Sequence, residues 1–164
     1  MKPASHPTAL RLQALLAEAG LDSRVVEFEQ PTRTSAEAAA AIGCSVTEIA
    51  KSVVFRATET ERAVIVVTSG DRRVSEAKVE QLVGEKIGRA DAAFVREATG
   101  FVIGGVAPLG HAKPVTMLLD EGLQRFSIVW AAAGTPFSVF SIAPADLQAL
   151  TGQAWSNIRL DEAS

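Results

Sequence analysis

The chain reads as one mixed α/β domain, a β-sheet wrapped by helices, and three observations predict this. About seven short β-branched or alternating runs are interspersed with four or five helical segments, without the regular alternation of a doubly wound parallel sheet. A length of 164 residues suffices for one domain with a real core and is short for two. The composition, 48% hydrophobic and 21% charged, is globular rather than disordered. No repeat or low-complexity linker interrupts it, so a single domain over 1–164 is expected.

Leu12, Leu15, Leu16 and Ala19 recur at helical spacing before Gly20, which predicts a helix over 8–19. A short strand over 24–28 follows and ends before Pro31. Thr34 with Glu37, and Ser45 with Glu48, have capping-box spacing and would start two short helices split by Gly43, the second running into Lys51. The runs 52–56 and 63–68 read as a hairpin, and Ser69-Gly70-Asp71 as a turn. Helices are expected over 75–83, closed by Gly84, and from an Asp91 cap through Thr99, closed by Gly100. Strands are expected over 101–103, 115–119, 126–131 and 137–142, and a helix from Pro144 to about Leu150. The segment 155–160 fits a last strand or an irregular cover.

Charge and composition exclude several functions. A net charge of −3, no Tyr, two Trp and seven Phe argue against broad, sequence-indifferent binding to DNA or RNA. One local basic patch would still suffice for a tRNA end; Arg72, Arg73, Lys78, Lys86 and Arg89 are its candidates, or else solvated surface charges. No apolar run approaches the ~18 residues of a membrane span, and no signal pattern precedes the first helix, so a cytoplasmic protein with no membrane partner is expected. His6 and His111 lack metal-ligand spacing, and HExxH, CxxC, GxSxG and Walker A patterns are absent, so neither metal nor cofactor is expected. Cys44, the only cysteine, reads as a small buried hydrophobe rather than a nucleophile.

Two features are left over. Lys51 stands among apolar residues, Ile49-Ala50-Lys51-Ser52-Val53-Val54-Phe55, where its side chain either snorkels to solvent or enters a polar pocket. The loop Gly104-Gly105-Val106-Ala107-Pro108-Leu109-Gly110 is either a tight structural turn or a ligand cradle whose glycines let backbone amides approach a substrate.

At these two places the sequence resembles the YbaK/EbsC group, relatives of the editing domain inserted in bacterial prolyl-tRNA synthetases. Ala50-Lys51-Ser52-Val53-Val54 carries part of the likeness, and Thr99-Gly100-Phe101-Val102-Ile103-Gly104-Gly105-Val106-Ala107-Pro108-Leu109-Gly110 carries most of it. The resemblance implies a mixed, mostly antiparallel sheet or open barrel packed with helices. It also implies hydrolysis of the ester joining a mischarged amino acid to the 3′-terminal adenosine of tRNA. Lys51 would be the functional lysine, and Gly104 to Pro108 the family's loop, with Gly105 as a further backbone donor. The family is thought to use the tRNA ribose hydroxyl to help activate water, which would account for the lack of an obvious protein base.

The resemblance points to a pocket of Phe28, Thr34, Ser52 and Thr68, with Val106, Ala107, residues 131–134 including Gly134, and Val139. Some relatives carry an acidic residue where this chain has Phe137-Ser138-Val139-Phe140, so the identity of the amino acid does not transfer. A small aliphatic or hydroxylated one is expected, on the proline tRNA or another. The implied partners are the acceptor end of aminoacyl-tRNA and a synthetase. A non-catalytic module that captures a tRNA end, a nucleotide or a synthetase is the alternative.

Overall fold

The chain opens with strand β1 (Lys2–Pro3) and helix α1 (Pro7–Glu18), followed by β2 (Val26–Glu27) and α2 (Ser35–Ile42). Next come the long pair β3 (Ala50–Ala57) and β4 (Ala63–Ser69), then α3 (Glu76–Val83), β5 (Ile87–Arg89) and α4 (Ala92–Thr99). The last third holds β6 (Thr116–Asp120), β7 (Val129–Ala132), β8 (Ser138–Ile142), α5 (Pro144–Thr151) and β9 (Trp155–Ser156). This is a computed structural model; it describes residues 1–161, so positions 162–164 of the expected domain lie outside the described residues.

The fold is mixed α/β, as expected, but its strands form two sheets. One has the order β1-β2-β8-β7 and is antiparallel throughout; the other has the order β5-β3-β4-β6-β9, with β6 and β9 added in parallel. Among the described residues nine strands replace the expected seven: β1 and β5 are additional, β9 realises the last-strand alternative over 155–160, and the strand expected over 101–103 is missing. Strands of two or three residues such as β1 and β5 carry too little periodicity to be read from sequence.

β4 explains how the second sheet is buried. All seven of its residues are buried, and alternate side chains enter different cores, as the period of two requires. Ile65 and Val67 join Leu12, Leu16, Phe101, Leu119 and Phe140 in the main core. Val64 and Val66 face Val79, Ile87 and Ile158 on the other side.

Both capping boxes form. Thr34 and Glu37 start α2, whereas Ser45 and Glu48 start only a single 3-10 turn, Val46–Glu48. Too few residues remain for a full helix, because β3 already begins at Ala50. Lys51 is therefore a strand residue rather than a junction residue. The strand expected over 101–103 is absent: Phe101 plugs the main core, and Gly105 N–H closes a turn onto Val102 O at 2.9 Å.

The two sheets meet at the start of β3. β3 pairs with β4 along its length. On its other side it pairs with β5 only at Phe55, Arg56 and Ala57, and touches β7 through the Ile49–Trp130 bridge. Between these contacts, the edge of β3 from Lys51 to Val54 has no strand partner among the described residues.

Candidate active site at the open edge of a strand

A cavity of about 400 Å³ occupies that open edge. Its walls come from three places: the start of α2 (Thr34, Ser35, Ala38), the first half of β3 (Ala50 to Val53), and β7 with β8 (Trp130, Ala131, Ala132, Ser138, Val139). Ile103, Gly104 and Val106 close it from the glycine loop. Residues far apart in the chain converge here because the β3 edge, left unpaired, faces the β7–β8 hairpin across the gap.

Lys51 lines the cavity, and its Nζ donates to Arg72 O at 2.6 Å and Gly70 O at 3.4 Å. Burial pushes the Lys51 pKa below its usual value, opposed by the Asp71 carboxylate and assisted by the Arg73 charge. Ser52 Oγ is buried and has no hydrogen-bond partner among the described residues. A buried hydroxyl left unsatisfied is costly, and a ligand in the cavity would supply the missing partner.

The glycine loop is a packed turn along its inner half and lines the cavity at Gly104 and Val106. Gly104 is exposed, has φ of +88° and lines the cavity, while Gly105 to Pro108 are buried. Val106 and Ala107 belong to the main core. Gly105 is wedged against the backbone of Thr135, where an added Cβ would lie 2.7 Å from Cα. The Gly105 amide is committed to Val102 O, which removes it as a substrate donor. The amides of Gly104 and Val106 have no partner among the described residues, and these two residues, not Gly105, face the cavity.

The remaining sequence candidates divide cleanly. Lys51, Gly104, Thr34, Ser52, Val106 and Val139 share the cavity. Thr68 does not: it is fully buried beside β6 and donates to Asp120 Oδ2 at 2.7 Å. Phe28 lies in a separate depression with Glu29, Pro31 and Ala41. Pro108 and Ala107 are buried in the loop's inner half, and Gly134 is a packing position, its Cβ site 2.5 Å from Thr8 Cγ2. The lining residues missed by sequence are Thr32, Arg33, Ile103 and Trp130, among others. Trp130 carried a signal, one of only two tryptophans in a strand-like run, but nothing in the sequence says which cavity it walls.

Electrostatically the cavity is cationic, since among the described residues Arg33 and Lys51 are the only charged ones in its lining. Of the candidate basic patch, two lysines are surrounded by acids or carbonyls, while Arg72 and Arg73 lie near the turn that holds Lys51. Lys78 is taken up by Asn157, Arg159 O and Asp161, and Lys86 sits among Glu59, Glu80 and Glu85. Cys44 is half-buried rather than buried, packed against the cluster of Ala38, Ala39 and Ile49, and desolvation pushes its thiol pKa up, which keeps it protonated. Among the described residues no group of three or more His, Cys, Asp and Glu could hold a metal, and no helix is long and apolar enough to cross a membrane.

The far end of the loop is braced by two basic side chains. His111 Nε2 lies 2.8 Å from Ala107 O, so Nε2 carries the donated proton, and the Phe101 ring meets the imidazole edge-on. Arg11 donates to Gly110 O at 3.1 Å and lies over the Phe101 ring. Burial lowers the His111 pKa from 6.5. As pH falls through about 6.5 the unfolded chain therefore takes up its proton first, and folding stability declines. Urea midpoints at pH 7.5 and 5.5 should fall more for the wild type than for His111→Gln, which retains an N–H donor without titrating.

Comparison with known proteins identifies the family. Residues 29–150 match the family model for the aminoacyl-tRNA editing domain. The uncharacterized protein YwhH of Bacillus subtilis is 34% identical over 141 residues, covering 85% of this chain and 89% of that protein. The proline–tRNA ligase of Bacillus licheniformis is 32% identical over 122 residues, 71% of this chain but only 21% of the ligase. A crystal structure provisionally named as a trans-editing enzyme for prolyl tRNA synthetase is 41% identical, with a TM-score of 0.89 over 96% of this chain and all of that one. With the match spanning both β3 and the glycine loop, the chain belongs to the aminoacyl-tRNA editing domain family, of the YbaK and prolyl-tRNA synthetase editing type.

Proposed function

We propose that the chain is a free-standing, single-domain aminoacyl-tRNA deacylase, which removes a wrong small amino acid from the 3′ end of tRNA in trans. The observation that supports this best is the meeting of Lys51, the orphaned Ser52 hydroxyl and the free Gly104 and Val106 amides around one cavity. An aminoacyl ester is already activated, so the site must position water and stabilise a tetrahedral oxyanion rather than supply a strong nucleophile. The Gly104 and Val106 N–H groups are the oxyanion donors. Lys51 offsets developing negative charge or holds the terminal ribose and phosphate, and Ser52 satisfies its hydroxyl on the substrate.

Among the described residues the lining holds no Asp, Glu or His. Water activation then falls to a group of the substrate, and the ribose hydroxyl beside the ester is the nearest one. Ala38, Val53, Trp130, Ala131 and Val139 present a largely apolar wall to the amino-acid side chain. Such a wall separates side chains differing by one methylene by only about 10- to 200-fold. Selection by size therefore favours small residues, with the proline tRNA as the first carrier to examine because of the ligase and trans-editing relatives.

Incubation with a panel of tRNAs mischarged with alanine, serine, threonine, cysteine or 2-aminobutyrate tests the proposal. The expected result is release of at least one of these amino acids at a rate proportional to enzyme. A protein that binds the charged tRNA and slows its spontaneous hydrolysis would instead be a capture module, and the deacylase reading would fall.

A further inference from the structure

The Lys51 ammonium is held rather than loose. Two of its three N–H bonds point at carbonyls of one tight turn, Gly70 O and Arg72 O, which leaves one for the cavity. That turn is fixed from several directions. Gly70 N–H donates to Ile49 O at 2.8 Å. The turn also packs so closely that a Cβ on Gly70 would lie 2.4 Å from Val46 O and 2.8 Å from Ser35 Cβ. Ser69 Oγ donates to Thr47 O. From the 3-10 turn after β6, Arg125 reaches in, its Nη2 3.2 Å from Ser69 Oγ and 3.5 Å from Asp71 Oδ1. Its guanidinium carbon lies 4.6 Å from the centre of the Phe126 ring. Arg72 Nε lies 3.8 Å from the other Asp71 oxygen.

We propose that Asp71 and Arg125 are positioning residues for Lys51, Asp71 as the counter-charge of its ammonium and Arg125 as the brace that fixes Asp71 and the Ser69–Arg72 turn. Neither residue lines the cavity, so both act through the lysine. Placing a charge on a strand edge by carbonyl contacts alone leaves it exposed to desolvation, and a nearby carboxylate offsets that cost.

The charged groups around Lys51 make the sign definite. Asp71 favours the ammonium, and Arg73 opposes it. Arg125 and Arg72 are both engaged with Asp71, and Arg33 stands in the same cavity lining. On β6, the Asp120 carboxylate accepts from Thr68 Oγ1 and Gly122 N–H. In the 3-10 turn before β3, Glu48 accepts within its capping box. Asp71 is the carboxylate in the turn whose carbonyls hold the Lys51 ammonium, and its removal lets the lysine lose its proton at lower pH.

The test is a titration of Lys51 by NMR with 13C-labelled lysine, in the wild type and in Asp71→Asn, alongside the pH profile of kcat/KM. Asp71 is exposed, so the substitution should leave the fold intact, which the spectrum reports directly. Asp71→Asn should move the Lys51 titration and the alkaline limb of the rate profile together to lower pH, and Asp71→Glu should restore most of the shift. Arg125→Lys keeps the charge but loses the planar fork. It should lower kcat by roughly 10- to 100-fold, the scale of a displaced catalytic group.

An unmoved Lys51 titration in folded Asp71→Asn overturns the counter-charge, and full activity in Arg125→Lys overturns the brace. The rate arms rest on the deacylase reading, whereas the titration does not. If no charged tRNA is hydrolysed even by the wild type, that reading fails while the NMR result still decides the counter-charge.

Discussion

Lys51→Ala is expected to cut kcat/KM for deacylation by about 100- to 1,000-fold, the usual loss when one group that stabilises an oxyanion is removed. The effect should exceed any effect on folding. The lysine is half-buried in β3 and its acceptors, Gly70 O and Arg72 O, sit in a surface turn where water can replace it. A loss of roughly 1 kcal/mol of stability is the expected scale for such hydrogen bonds. Urea unfolding and single-turnover hydrolysis of a mischarged tRNA, measured on the same preparation, separate the two. Undiminished hydrolysis would show that the ammonium takes no part in the reaction.

Gly105→Ala should be the most disruptive single-methyl change in the loop. The new Cβ would lie 2.7 to 2.8 Å from the N, Cα and C atoms of Thr135. None of these is a side-chain tip that can swing away, so two backbone segments must separate. Overpacking of this kind costs about 1–3 kcal/mol. It also displaces the neighbouring Gly104 and Val106 amides, and a shift near 1 Å at a catalytic group can cost about 100-fold in rate. Gly104→Ala is the informative control. Its Cβ has no neighbour nearer than 3.8 Å, so only the φ of +88° resists the change. A lower urea midpoint together with lost activity is expected for Gly105→Ala. Wild-type stability in that variant would show that the Gly105 and Thr135 backbones can part without cost.

Local signals in the sequence translated well wherever the cause was local. The Thr34–Glu37 box starts α2 because its bonds lie within one turn of chain. Gly84 and Gly100 end their helices in the left-handed region, which glycine alone adopts without strain. The long runs of β3 and β4 were legible because β4 carries five β-branched residues in succession, Val64 to Thr68, and β3 sets Val53 and Val54 beside Phe55. By contrast, Phe101–Ile103 looks like a strand and is not one. Its aromatic ring is drawn into the main core, and its backbone turns to present Gly104.

The candidate site divides along the same line. Sequence alone marked Lys51, Ser52, Gly104 and Val106, because a lysine in an apolar run and a glycine pair need an explanation and because both fall in strings shared with a known family. It could not place Thr68 under Asp120, commit the Gly105 amide to Val102, or bring Arg33 and Trp130 to the cavity. Those outcomes depend on which strand edges stay unpaired and which side chains meet across two sheets. The amino-acid sequence by itself determined most of the elements, the family and the unusual residues, because these follow from short-range chemistry and pattern. Only the tertiary structure decided what the residues face, because the open edge of β3 exists solely where β5 stops short and β7 crosses at a single bridge.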